Sequence, residues 1–211
     1  MKTLICFIAF LIVALPSVAQ SGDVVRIDNK VVKDQVKAMV EDYQYQLYKL
    51  ANGTNPQPVR NTARDVSKAL FMEKGGKYSY KINGVEYYDR CIMETVNKYR
   101  PENIYKKLVA NYLDVLAAQP YRTEITGTKE IAVDNPKKIS KNRYVTTAYL
   151  GQKYIRYYGD NIGYIDQTYK KITVYIDVYP KPGEEEYEYV IRLEDCSVEG
   201  VEDVPEDLQY D

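Results

Sequence analysis

The stretch Asp166-Gln-Thr-Tyr-Lys-Lys-Ile-Thr-Val-Tyr-Ile-Asp-Val-Tyr179 decides the fold. In its second half, aliphatic residues at 172, 174, 176 and 178 alternate with Thr, Tyr, Asp and Tyr. Successive side chains of a strand point to opposite faces of the sheet. We therefore predict a strand over 167–179, with one buried aliphatic face and one half-exposed, Tyr-rich face.

Three neighbouring stretches also have the composition of strands, near 121–133, 143–158 and 186–199. The links between the four stretches carry turn residues: Asp134-Asn-Pro136, Gly159-Asp-Asn-Ile-Gly163 and Lys181-Pro-Gly183. We read the Gly159 link as a turn, because its acidic residues lack the ligand spacing of a calcium loop. Neighbouring strands with short links predict a curved four-stranded antiparallel sheet.

Helical patterns precede this sheet. A stripe of apolar residues at helical spacing predicts a helix over 31–51, ended by Asn52-Gly53 (Val32, Val36, Met39, Val40, Tyr43, Leu47 and Leu50). A second, shorter helix is predicted over about 60–73, ended by Gly75-Gly76.

The segment between these helices and the sheet begins with a hairpin. Asn83-Gly84 between two alternating segments predicts a type I′ turn. We expect a short helix over 89–99, capped by Asp89. A further helix is expected over 102–118, for which a strand is the alternative.

This order of elements resembles the nuclear transport factor 2-like superfamily. The local resemblance lies in Asn111-Tyr-Leu-Asp-Val-Leu116 and in the run 166–179, which is similar to the sheet of small secreted bacterial members. The resemblance implies an α+β cone, in which N-terminal helices pack on the curved sheet and leave a pocket between them. The superfamily includes ketosteroid isomerase, scytalone dehydratase and limonene epoxide hydrolase, and also members without catalysis. No catalytic motif matches this chain residue by residue, and a shared fold does not confer a reaction.

The first residues are typical of an export signal. Lys2 precedes a short apolar run, and Ser17-Val18-Ala19 supplies small residues for cleavage. We predict a signal peptide over 1–19, a single α+β domain over 20–199 and an acidic C-terminal tail over 200–211. The mature protein is then periplasmic or extracellular, in a bacterium, with no stable membrane insertion.

The composition of the 211 residues excludes several kinds of chemistry. The chain has no His and no Trp, which excludes His-based triads and His-ligated zinc. Basic and acidic residues nearly balance, 29 against 30, and no basic stripe is interleaved with aromatic residues, so we expect no nucleic-acid partner. We expect no metal and no cofactor.

Cys91 and Cys196 remain after signal cleavage. In an oxidising compartment the pair could form a disulfide, and the alternative is two small buried thiols.

Tyrosine dominates the aromatic residues, 23 against 3 Phe, and its ring with a polar tip suits cavity mouths and interfaces. Tyr43 and Tyr112 lie on the apolar stripes of their helices, so they are the candidates for lining a ligand pocket. The alternative is that both rings fill the core. On the sheet, a surface or dimer interface is the hypothesis for Tyr154, Tyr157, Tyr158, Tyr175 and Tyr179, with cross-strand packing as the alternative.

From the sequence we favour an exported, non-enzymatic protein that binds a small molecule in the pocket, or a protein partner or second copy through the Tyr-rich sheet. The first alternative is a small lyase, isomerase or hydrolase with an Asp/Tyr pocket, for which Asp114 beside Tyr112 and Asp42 beside Tyr43 are candidates. The second alternative is a structural or adhesion accessory protein at the cell surface.

Overall fold

A large twisted sheet organises the chain, and three helices lie on one of its faces. The structure is a computed structural model that describes residues 27–181 and 187–202. The predicted signal peptide, and the predicted tail beyond Glu202, lie outside the described residues. The helices are α1 (Asn29–Ala51), α2 (Gln57–Leu70) and α3 (Val109–Ala118). The strands are β1 (Lys77–Ile82), β2 (Val85–Arg90), β3 (Ile92–Asn97), β4 (Arg100–Leu108), β5 (Thr123–Val133), β6 (Lys137–Ser140), β7 (Arg143–Tyr158), β8 (Asn161–Pro180) and β9 (Tyr187–Glu202).

The prediction of an α+β protein with N-terminal helices on a sheet is confirmed. One continuous hydrophobic core holds the apolar stripe of α1 together with Ile172, Val174, Ile176 and Val178 of β8. All four of these β8 side chains are fully buried. Burial of these apolar side chains in one core stabilises the domain.

The sheet is larger than predicted. It has seven strands in the order β4-β3-β9-β8-β7-β5, with β6 also paired to β7, and β3 runs parallel to β9. The prediction of a four-stranded antiparallel sheet was therefore wrong at one edge, where the hairpin of β3 and β4 joins β9. β-Bulges interrupt the β7–β8, β8–β9 and β5–β7 ladders, and bulges of this kind bend long strands.

The prediction of a helix over 89–99 was wrong, because β3 occupies this segment. Ile92, Thr95 and Val96 are β-branched and favour a strand, and Cys91 and Met93 alternate into the core. The prediction of a helix over 102–118 was half right, since α3 begins only at Val109. Pro101 is tolerated in β4 because this strand lies at the edge of the sheet.

The predicted hairpin is confirmed as β1 and β2, a separate two-stranded sheet. Asn83 and Gly84 both have positive φ, 51° and 81°, as a type I′ turn requires.

A buried arginine joins the ends of two helices. Arg60 on α2 donates from Nε to the carbonyl of Leu50 at 3.1 Å and from Nη2 to the carbonyls of Leu116 and Gln119, both at 2.9 Å. Each carbonyl lies at the C-terminal end of α1 or α3, where the helix leaves carbonyls unpaired and favours a positive charge. Arg60 therefore holds the end of α3 in place over the sheet.

Candidate functional site

A cavity of about 490 Å³ lies between α3 and the part of the sheet that is not covered by α1. Its floor is formed by one face of β7 and β8, its roof by α3 and one side by the hairpin of β3 and β4. The volume is in the range of small-molecule sites.

The floor of the cavity continues the core face of β8. The even-numbered residues 172–178 are aliphatic and buried in the core, and on the same face Tyr164, Asp166, Thr168 and Lys170 line the cavity. The face thus changes from apolar to polar between Ile172 and Lys170. Polar side chains here would be costly in a dry core, and in the cavity they are available to a ligand.

Strand β7 places a second polar row beside the first. In the antiparallel ladder Gln152 lies opposite Thr168, Tyr154 opposite Asp166 and Arg156 opposite Tyr164. Because directly opposite residues share a face, both rows project into the same cavity.

Asp166 lies at the centre of this floor and is 3% exposed. Tyr164 Oη donates to its Oδ2 at 2.6 Å, and Thr168 Oγ1 donates to its Oδ1 at 3.3 Å. Burial raises the pKa of the Asp166 carboxyl above its usual range, against the opposing effect of these two hydrogen bonds. A carboxyl with a raised pKa beside a phenol can exchange a proton with a bound molecule.

Two cations lie on either side of Asp166. Lys170 is 6% exposed, and its Nζ donates to the backbone carbonyl of Glu94 at 2.8 Å. Arg156 donates from Nη2 to Tyr154 Oη at 2.7 Å, and its buried Nε has no hydrogen-bond partner among the described residues.

Tyrosine rings form much of the remaining wall. Tyr154 and Tyr164 meet edge to face at 5.9 Å between ring centroids, and Tyr112 reaches in from α3. Burial raises the pKa of Tyr112 and of Tyr164, so both hydroxyls stay protonated at neutral pH and can donate hydrogen bonds. At the rim, Tyr99 is 72% exposed and Tyr158 is 58% exposed.

The structure separates the two predicted pocket residues. Tyr112 lines the cavity, whereas Tyr43 is 1% exposed and packs edge to face on Phe71 at 5.1 Å. For Tyr43 the core interpretation is therefore the correct one. The reason is that Tyr43 lies on the stripe of α1 that packs into the apolar core, whereas Tyr112 lies on the side of α3 that faces the cavity.

The five tyrosines proposed for a sheet surface do not form one patch. Tyr154 and Tyr158 line the cavity, Tyr157 donates to Glu124 at 3.1 Å, and Tyr175 is half-buried against the core. Tyr179 is exposed at the far end of β8 from the cavity. A homodimer through these residues stays a prediction.

The two carboxylates considered for catalysis lie elsewhere. Asp114 is exposed on α3 and forms an ion pair with Lys68 at 2.7 Å. Asp42 is exposed on α1 and accepts from Gln46 at 3.0 Å. Sequence reasoning missed Asp166, Arg156, Tyr164, Thr168 and Lys170. The β8 residues could have been found from the sequence, because polar residues continue the same every-second-residue spacing as the buried aliphatic residues 172–178.

Cys91 and Cys196 are both free and buried, so the disulfide is not formed in the structure. Cys91 Sγ donates to the carbonyl of Met72 at 3.4 Å. In the described part of the chain, no group of three or more Cys, Asp or Glu side chains is placed to hold a metal ion. In residues 27–181 and 187–202, no helix combines the length and apolarity that crossing a bilayer requires.

No family model matches the sequence, and no curated protein matches it. Among solved structures, the chain is similar to a protein from Novosphingobium aromaticivorans named "Putative Scytalone Dehydratase", with a TM-score of 0.40 and 14% identity. The match covers 84% of this chain and 91% of that chain. This likeness is too low to assign a family or a reaction, so the resemblance to the nuclear transport factor 2-like superfamily stays a prediction.

Proposed function

We propose that this is an exported protein that binds a small organic molecule in the cavity between α3 and the polar half of the sheet. The observation that carries the proposal is the burial of Asp166 and Lys170 on the cavity floor, at 3% and 6% exposure. Buried charges lower the stability of a domain unless they are paired, and proteins retain them mainly where they serve a site.

The walls support the same function. Tyr112, Tyr154 and Tyr164 offer flat apolar surface with hydroxyl groups at the edges. A mostly apolar concave site with a few directed polar groups is typical of small-molecule binding.

Native mass spectrometry of the protein purified from its own periplasm or growth medium tests the proposal. Val115 is 58% exposed on α3 and lines the cavity, so Val115→Trp would obstruct the cavity with little effect on the core. Val59 is similarly exposed, at 42%, on α2 and away from the cavity, so Val59→Trp is the matched control.

We expect a co-purified small molecule on the wild type and on Val59→Trp, and its loss on Val115→Trp. Equal occupancy of all three proteins would place the ligand elsewhere. N-terminal sequencing of the same sample tests export, with a mature chain beginning after Ala19 as the expected result.

A second candidate function is proton transfer by a small lyase or isomerase. The observation that favours it is the Tyr164–Asp166 pair inside the cavity, with a carboxyl whose pKa burial raises. Asp166 would remove a proton next to a carbonyl group, and a Tyr hydroxyl would stabilise the resulting oxyanion.

Exchange of the α-protons of 2-tetralone in deuterated buffer, followed by NMR, tests this candidate. Proton transfer predicts exchange that is faster with the wild type than with Asp166→Asn, which should match buffer alone. If the wild type and Asp166→Asn exchange the protons of 2-tetralone at equal rates, while both still carry the co-purified molecule, the protein binds its ligand without catalysing proton transfer.

A further inference from the structure

We propose that the ligand of this cavity is an aromatic carboxylic acid, with its carboxylate bound by Arg156 and its ring between the tyrosines. The inference rests on the proposed binding function and adds the chemical class of the ligand. It depends on the charges and free hydrogen-bond donors of the cavity.

The charges that line the cavity do not balance. Lys107, Arg156 and Lys170 are basic, and Asp166 is the one acidic residue among the described lining residues. Asp166 already accepts from Tyr164 and Thr168. Among the described residues, neither Arg156 nor Lys170 forms an ion pair with a carboxylate. A partly enclosed cavity with an excess of positive charge favours an anion.

Arg156 has the geometry to bind that anion. The guanidinium already has Tyr154 and Tyr158 as hydrogen-bond partners, with Nη2 donating to Tyr154, but its Nε is buried and has no partner among the described residues. A guanidinium offers several donors in a planar fork that matches a carboxylate. Nε is closed to solvent in this conformation, so a ligand carboxylate would reach it after a small shift of the Arg156 side chain. The carboxylate would then satisfy this donor, whose burial without a partner is otherwise unfavourable.

The surroundings of Arg156 favour a planar ring attached to the carboxylate. The guanidinium lies 5.4 Å from the centroid of the Tyr121 ring and 5.7 Å from that of the Tyr154 ring. Tyr154 continues toward Tyr164 and Tyr112, which gives an aromatic wall that leads from the cation into the cavity. Aromatic rings pack on such walls edge to face or offset.

Isothermal titration with 2-naphthoate and with its neutral isostere 2-naphthamide tests the inference. We expect the wild type to bind naphthoate at least about tenfold more tightly than naphthamide, a difference of about 1.4 kcal/mol. Arg156→Gln should reduce naphthoate affinity by about tenfold and leave naphthamide affinity within about twofold. Arg192→Gln is the control, because Arg192 is exposed on β9 and does not line the cavity.

The outcomes separate the two proposals. Equal affinities of the wild type for naphthoate and naphthamide would overturn the inference and leave small-molecule binding in place. Naphthoate affinity that is unchanged in Arg156→Gln would remove Arg156 from the site. If neither probe binds, the inference is wrong. If native mass spectrometry of the protein from its own compartment also shows no bound molecule, the proposed function is wrong as well. The comparison of the two probes on the wild type needs no variant to fold.

Discussion

Tyr164 donates a 2.6 Å hydrogen bond to Asp166, two positions further along the same face of β8. The pair is held at both ends, because the backbone N–H of Lys98 donates to Tyr164 Oη at 3.0 Å and Thr168 Oγ1 donates to Asp166. Hydrogen bonds from the protein itself therefore fix the orientation of the pair, and groups that are already ordered bind with a smaller cost of ordering.

The raised pKa of Asp166 predicts a pH-dependent stability. A carboxyl whose pKa is higher in the folded than in the unfolded chain takes up protons on folding. Its contribution to the free energy of unfolding therefore falls as the pH rises from 3.8, the ordinary value, through the raised folded value. Asp166→Asn removes this dependence. We expect the stability of the variant relative to the wild type to increase from about pH 4 to about pH 7, measured by urea unfolding. Burial also raises the pKa of Glu194 and of Asp195, but both residues are present in the wild type and the variant, so their effects cancel in the comparison. A difference in stability that does not change with pH would therefore contradict the assignment.

Removal of the Tyr43 hydroxyl is expected to stabilise the protein. Its hydroxyl is buried and has no hydrogen-bond partner among the described residues. Tyr43→Phe removes this unsatisfied group and keeps the ring on Phe71, so we expect the free energy of unfolding to rise by about 1 kcal/mol. Urea unfolding measures it, and ligand binding should be unchanged. A loss of stability would show that the hydroxyl has a partner after all.

Substitution of Arg60 is expected to cause a large loss of stability. Arg60→Met keeps much of the side-chain volume but leaves the carbonyls of Leu50, Leu116 and Gln119 without their donor, and we expect a loss of about 3 kcal/mol. Arg64→Met on the same helix is the control. It removes only surface ion pairs with Asp65 and Asp114 and should cost less than about 1 kcal/mol. Similar losses in the two variants would contradict the role of Arg60.

Substitution of Gly163 is expected to weaken ligand binding with little change in the stability of the protein. A Cβ at this position would lie 1.9 Å from Cδ2 of the Tyr158 ring, so Gly163→Ala must displace the ring at the rim of the cavity. We expect weaker binding of 2-naphthoate in titration and an unfolding midpoint close to that of the wild type. Tyr158→Ala, which removes the ring itself, is the comparison variant. The two variants should lose similar affinity, and full affinity in Gly163→Ala would show that Tyr158 does not contact the ligand.

The thiols of Cys91 and Cys196 are expected to be unreactive toward alkylating reagents in the native protein. Burial raises the pKa of Cys91 to about 12 and also raises that of Cys196, so neither forms the reactive thiolate at neutral pH. We expect iodoacetamide to modify both residues in denaturant and neither in the native protein, by peptide mapping. A Cys91–Cys196 peptide that disappears on reduction would instead restore the disulfide hypothesis.

Local patterns determined much of the fold. The alternation over 172–178 predicts β8, the spacing of Val32, Val36 and Val40 predicts α1, and Asn83-Gly84 predicts the hairpin. In each case the signal comes from residues close in sequence, whose side chains must share a face once the backbone adopts its repeat. Such signals do not depend on the partner that covers the face.

Only the tertiary structure decided the rest. The segment 92–97 joins the sheet because β9 presents a free edge to it. Tyr43 lies in the core and Tyr112 lines the cavity because the packing of α1 and α3 gives the two side chains different surroundings. Asp166 shares the cavity with Tyr154 and Arg156 of β7 because the register between the strands places them side by side. Composition and periodicity determine which side chains share a face, whereas long-range pairing determines what that face encloses.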